Sequence, residues 1–145
     1  DDLWRAYNDS GLLTMVLQEF IQWDNYLRCM CIGQDHVLVS KYDPDKRQYL
    51  AHDLTPAMHD RIVEDSRKIV RALGYDMNTI EYAVRGGVPY AIDFMNPAPD
   101  MDVYSTGKDY HRWCVEKMAD MCIDYALNPQ PQVADLRWSA MFGAR

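Results

Sequence analysis

The chain has 145 residues, 48% of them hydrophobic and 26% charged, which is enough for one domain with a real core. A formal net charge of −7 argues against general nucleic-acid binding, which needs a basic footprint, although a few cations in a cleft could still hold phosphate. No apolar run approaches the roughly 20 residues that cross a bilayer, and the opening Asp1-Asp2 does not resemble a signal peptide, so neither nucleic acid nor membrane is an expected partner.

In chain order, Asp1 to Asp9 reads as the end of a helix, with Leu3, Trp4 and Tyr7 on one side and Asn8-Asp9-Ser10-Gly11 as the stop. A domain seldom begins on the last turns of a helix, so a piece of a longer protein is expected. Leu12 to Ile21 is a dense apolar run that reads as a buried strand. Tyr26 to Ile32 and Val37 to Tyr42, joined by Gly33-Gln34-Asp35-His36, have the form of a β-hairpin. Alternation turns Arg28, Met30 and Ile32 one way and Leu27, Cys29 and Cys31 the other. Asp43 to Asp53 is polar, carries Pro44 and reads as a loop.

Thr55 can cap a helix whose first position is Pro56, where a missing N–H costs nothing. Ile62, Ser66, Ile69 and Leu73 recur at helical spacing, charged residues cover the outer face, and Gly74 ends the helix. Thr79 to Val84 and Val88 to Phe94 form a second hairpin about Arg85-Gly86-Gly87, and Asn96-Pro97-Ala98-Pro99-Asp100 breaks it off. A last helix is expected from about Lys108 to Leu127, with Tyr110, Cys114, Met118, Met121 and Tyr125 as its stripe. The order predicts an α+β fold, a mainly antiparallel sheet with helices packed on one face. Residues 1–128 would form this unit and 129–145 a tail, whose apolar stretch Leu136 to Phe142 could cover another part of the protein or a second copy in a homo-oligomer.

Cys29, Cys31, Cys114 and Cys122 make no recognisable disulfide framework, and the four histidines have no zinc-ligand spacing. Buried, reduced thiols in a cytoplasmic protein are expected. The second hairpin carries the chemistry. Folding it about Gly86-Gly87 brings Glu81 and Asp93 together on adjacent strands, where two carboxylates repel. A divalent cation offsets that repulsion, and Mg²⁺ takes one or two carboxylates together with other oxygens, Asn96 supplying a neutral carbonyl. The plainer alternative is a solvated face of the sheet. Arg28, among apolar same-face neighbours, suits phosphate through its planar fork. Lys41 on the partner strand would add a point charge, or simply snorkel at a sheet edge. Gln18-Glu19-Phe20-Ile21 offers backbone groups beside apolar side chains, a combination that recognises adenine, or else a buried strand end.

Gln18-Glu19-Phe20-Ile21, Leu27-Arg28-Cys29 ahead of Ile32-Gly33, Leu73-Gly74-Tyr75-Asp76-Met77-Asn78-Thr79-Ile80-Glu81 and Tyr90-Ala91-Ile92-Asp93-Phe94-Met95-Asn96-Pro97, in that order and spacing, resemble the C-terminal lobe of ATP-grasp enzymes from about Leu13 to Asp102. The resemblance implies ATP and Mg²⁺ as cofactors and a carboxylate activated as an acyl-phosphate for attack by an amine or related nucleophile. It implies that Gln18, Glu19, Phe20 and Ile21 are the hinge that reads adenine and that Asp24 approaches the ribose. Arg28 would steady the transferred phosphate, and Glu81, Asp93 and Asn96 would hold the metal across the ATP phosphates. The family's other lobe supplies a lysine and a Gly-rich loop; neither precedes Leu12, so this chain is expected to be inactive alone and to need an N-terminal lobe. A non-catalytic nucleotide-binding module and a protein-interaction domain are the alternatives.

One departure makes a structural demand. The common family ending is Glu, one residue, Asn, whereas Asp93 precedes Asn96 by three positions. On a regular strand these two would face opposite ways, so a bulge near Phe94-Met95 is required. Failing that, Asp100 would substitute.

Overall fold

The computed structural model describes residues 16–129, together with Asp2, Leu3 and Arg5. The rest of the expected first helix, the start of the expected strand at Leu12 and the tail from residue 130 lie outside the described residues. The elements are β1 (Asn25–Ile32), β2 (His36–Asp43), β3 (Gln48–Leu50), α1 (Pro56–Leu73), β4 (Met77–Arg85), β5 (Val88–Asn96) and α2 (Val103–Leu127). The strands form one sheet in the order β3-β2-β1-β4-β5, every neighbouring pair antiparallel. The expected α+β class, both hairpins and both helices are present. Among the described residues no helix is long and apolar enough to cross a membrane.

The helices divide between the two faces of the sheet instead of sharing one. Leu27, Cys29 and Cys31 of β1 pack with Ile62, Val70 and Ile80 under α1, while Met30 and Ile32 pack with Tyr42, Tyr49 and Cys114 under α2. A central strand that is apolar on both sides needs a cover on each. Burial pushes the Cys31 thiol up to about 12 and that of Cys114 up to about 11, so both stay protonated and inert at neutral pH. Cys122 departs from the expected pattern and is exposed.

The α1 sequence signals all operate. Thr55 Oγ1 accepts from the Met58 N–H at 3.3 Å, Pro56 occupies the first turn, and Gly74 closes the helix at φ 71°, a left-handed position that glycine takes without penalty. Ser66, the polar member of the buried stripe, meets the Tyr82 hydroxyl at 3.0 Å, which ties helix to sheet. Thr55→Ala is expected to cost about 1 kcal/mol, seen as a lower urea midpoint with an unchanged slope.

Three boundaries differ from expectation. Residues 16–21, the described part of the expected strand Leu12 to Ile21, pair with no strand, and Val16, Leu17 and Phe20 are 81%, 73% and 75% exposed. An apolar run by itself does not require a backbone that pairs. β3 lies inside the expected loop, too short for alternation to show; only its Tyr49 is buried. The last helix begins at Val103, with Asp102 as its cap, and is broken at Gly107 (φ 76°, ψ 163°) before continuing. The β4–β5 turn matches its sequence: Gly86 and Gly87 both have positive φ, 56° and 76°, as a two-residue hairpin turn of this hand demands.

Candidate functional site

β4 lies between β1 and β5, so its residues have cross-strand partners on both sides. Glu81 stands opposite Arg28 on β1 and opposite Asp93 on β5. Directly opposed residues of an antiparallel pair share a face, which groups Arg28, Glu81 and Asp93 on the side of the sheet that α2 partly covers.

Asn96 joins them through a register shift. Thr79 pairs with Asn96 and Glu81 with Asp93, so two steps along β4 span three along β5. The required bulge is therefore present. It brings Asn96 opposite Thr79, a same-face neighbour of Glu81, although Asp93 and Asn96 differ by an odd number of residues. A second shift follows at once, since Tyr82 pairs with Ala91 and leaves Ile92 as the extra residue.

Side chains complete the two irregular stretches. The Asn78 carboxamide donates to the Phe94 carbonyl at 2.8 Å, and its oxygen accepts from the Asn96 N–H at 2.8 Å. Gln18 Nε2 donates to the Ile92 carbonyl at 3.0 Å. Each backbone group freed by a bulge and named here has found a partner, as buried or half-buried peptide groups must.

Glu81 is held from two directions. Arg28 Nε lies 3.5 Å from one carboxylate oxygen, with both side chains largely buried, and the Tyr26 hydroxyl donates to the other. Burial, then the hydrogen bond and charge of Glu81, and then the charge of Asp93, hold the Tyr26 hydroxyl well above the usual phenol range. Arg28 lies 4.9 Å from the Tyr42 ring centroid and 5.7 Å from that of Tyr49, so two aromatic faces support its cation. Its Nε is buried without a hydrogen-bond partner, as is the Tyr49 hydroxyl. Tyr26, Tyr42 and Tyr49 were not singled out in the sequence. The signal available for two of them was alternation with Arg28 across the first hairpin; for Tyr49 there was none.

Asp93 is exposed, and its carboxylate has no hydrogen bond or ion pair among the described residues. Among those residues no three His, Cys, Asp or Glu side chains gather as a metal cage. Two carboxylates, one side-chain carbonyl and an open side suit Mg²⁺, which binds through few protein oxygens and completes its shell with water and phosphate. Zinc would take His or Cys nitrogen and sulfur in place of these oxygens, and calcium would need more oxygens. The residues present fit a magnesium ion.

The other expected site residues are placed differently. Lys41 is in register with Leu27, hence on the α1 side of the sheet and away from Arg28. Asp24 accepts the Gly86 N–H at 2.7 Å and so fastens the β4–β5 turn. Asp100, expected as a substitute only on a regular strand, is occupied by the Asp102 N–H at 2.8 Å and the Ser105 hydroxyl at 3.2 Å. Gln18 to Ile21 run beside β5, with Ile21 buried and Phe20 exposed. Among the described residues their backbone groups bond to no other backbone. From Phe20 an unbroken series of aromatic contacts runs through Trp23 at 5.6 Å and Tyr26 at 5.0 Å to Tyr42 at 6.2 Å.

No protein-family model matches the chain, and no curated protein matches it. Among solved structures it is similar to D-alanine–D-alanine ligase from Bacillus anthracis complexed with ATP, at 18% identity and a TM-score of 0.58. The similarity covers 74% of this chain and 38% of that one. The fold is ATP-grasp-like.

Proposed function

We propose, on the premise of a fold shared with an ATP-bound ligase, that this chain is the ATP- and Mg²⁺-binding lobe of an ATP-dependent ligase. The observation that carries this reading is the β5 bulge, which sets Asp93 and Asn96 on the face already occupied by Glu81 and Arg28. The reaction class is activation of a carboxylate as an acyl-phosphate, followed by attack of an amine or related nucleophile.

In this reading Gln18 to Ile21 receive adenine through free backbone groups beside apolar side chains. Arg28, fixed by Tyr42, Tyr49 and Glu81, presents its terminal nitrogens to the phosphoryl group in transit. Its charge is permanent and its fork is already oriented, so little entropy is lost on binding phosphate. Glu81, Asp93 and Asn96 would hold Mg²⁺, which supplies charge neutralisation at the phosphates. Tyr26 must then surrender or share Glu81, and its neutral hydroxyl can do so without leaving a buried charge. Lys41 has no part in this site. A second lobe is needed to close over the phosphates, since the chain spans 38% of the length of the ligase it resembles. The reaction belongs in the cytoplasm, where ATP and reduced thiols coexist.

Titration calorimetry of the intact protein with ATP, with and without Mg²⁺, tests the proposal. Binding that tightens by an order of magnitude or more with Mg²⁺ is expected. Affinity indifferent to the metal would overturn it. Metal-dependent binding without phosphate release from any acid and amine pair would instead favour a non-catalytic module, in which Tyr26 and Arg28 keep Glu81 for themselves.

A further inference from the structure

We propose that Asn78 is a positioning residue for the metal site, acting through the β5 bulge. The inference rests on the reading of Glu81, Asp93 and Asn96 as the Mg²⁺ ligands. Asn78 is fully buried, and by alternation along β4 its side chain starts from the face opposite to Glu81. A buried carboxamide needs partners for its donor and its acceptor. Asn78 takes both from one stretch of β5: the carbonyl of Phe94 and the N–H of Asn96. These groups flank Met95, the residue around which the strand makes its extra step. The side chain thus pairs with β5 as a short piece of backbone would, and it does so at the irregularity.

The consequence concerns geometry. A regular strand would send Asp93 and Asn96 to opposite faces, and only the extra residue reverses this. With the Asn78 carboxamide removed, the Phe94 carbonyl and the Asn96 N–H lose their partners, and the strand is free to slip toward a regular register. Asp93 and Asn96 would then no longer converge beside Glu81. Asn78 touches neither metal nor nucleotide; it fixes where two ligands stand.

The test compares Asn78→Ala with the native sequence in the intact protein, in two states. In the ligand-free state, hydrogen exchange at the Asn96 amide is expected to accelerate by roughly tenfold or more. In the loaded state, Mn²⁺ with a non-hydrolysable ATP analogue is followed by the loss of the free-ion paramagnetic signal. The Mn²⁺ affinity is expected to fall by roughly 10- to 100-fold, while metal-free binding of the analogue changes less than about twofold. Deletion of Met95, an exposed residue, supplies the control. It restores the Asp, one residue, Asn spacing on a regular strand, so Asn78→Ala in that background should leave Mn²⁺ affinity unchanged.

Unchanged Mn²⁺ affinity in Asn78→Ala would overturn the proposal, and so would an equal loss in the Met95-deleted background, since either would make Asn78 purely structural. Failure of the native protein to bind Mn²⁺ would instead remove the metal-site reading itself. If Asn78→Ala does not fold, Asn78→Asp is measured in its place under the same criteria; it preserves volume but offers Phe94 an acceptor where a donor is needed.

Discussion

Asp93→Asn is expected to weaken binding of Mg²⁺ with ATP by roughly 100-fold or more, since even groups that merely support a metal ligand are worth 10- to 100-fold. The same change should leave the fold intact or slightly firmer. Asp93 is exposed and directly opposite Glu81, and like charges so placed repel. Relieving that repulsion is worth a few tenths of a kcal/mol. The opposite signs make the result diagnostic, because a general disturbance of the strand would lower stability and binding together. Calorimetry for binding and thermal denaturation without ligand decide it. Full retention of metal-dependent binding would remove Asp93 from the site.

Arg28→Met has the largest expected effect on stability. Arg28 and Glu81 retain only 14% and 18% side-chain exposure, and removing one partner of such a pair strands the other charge in a poorly solvated place. A loss of about 3 kcal/mol is expected, read from urea denaturation. Glu81→Gln in the same chain should recover much of it, because no uncompensated carboxylate then remains beside Tyr26. A double-mutant cycle isolates that coupling. If the two losses simply add, the pair is not coupled, and Arg28 is held by its aromatic neighbours alone. On the proposed reading, phosphoryl transfer by the intact protein should be lost in both variants, since the planar fork has no substitute in Met.

Much of this was legible in the residues. The hairpins were marked by Gly86-Gly87 and by alternation, and α1 by Thr55, Pro56 and Gly74. The three-residue step from Asp93 to Asn96 called for a bulge, and the register supplies one. What escaped reading shares a physical cause. Local pattern specifies which face a side chain takes, but not what lies across from it. Tyr49 sits on a strand of three residues, too short to alternate, yet it supports Arg28. Lys41 was assigned by nearness in the hairpin, and its odd offset from Arg28's partner Ser40 sends it to the other face. Asn78 lay just ahead of the expected strand Thr79 to Val84 and was given no role, because its role depends on β5, sixteen residues away. The apolar run before Ile21 carried no mark distinguishing a paired strand from an uncovered surface.

The irregular course of β5 has one more consequence, for how this protein behaves among its own copies. Among the described residues the five-stranded sheet has two edge strands, and an open edge strand is a row of peptide groups that can template another chain. One edge here is β3, only three residues long, which offers little to pair with. The other is β5, nine residues and long enough to nucleate edge-to-edge stacking if it were straight. Its two register shifts, with Pro89 near its start and Pro97 just past its end, break that row into pieces that no regular strand can match. The distortion that sets Asp93 and Asn96 on one face therefore also works against growth of the sheet, and on the proposed reading straightening β5 would trade a metal site for an adhesive edge.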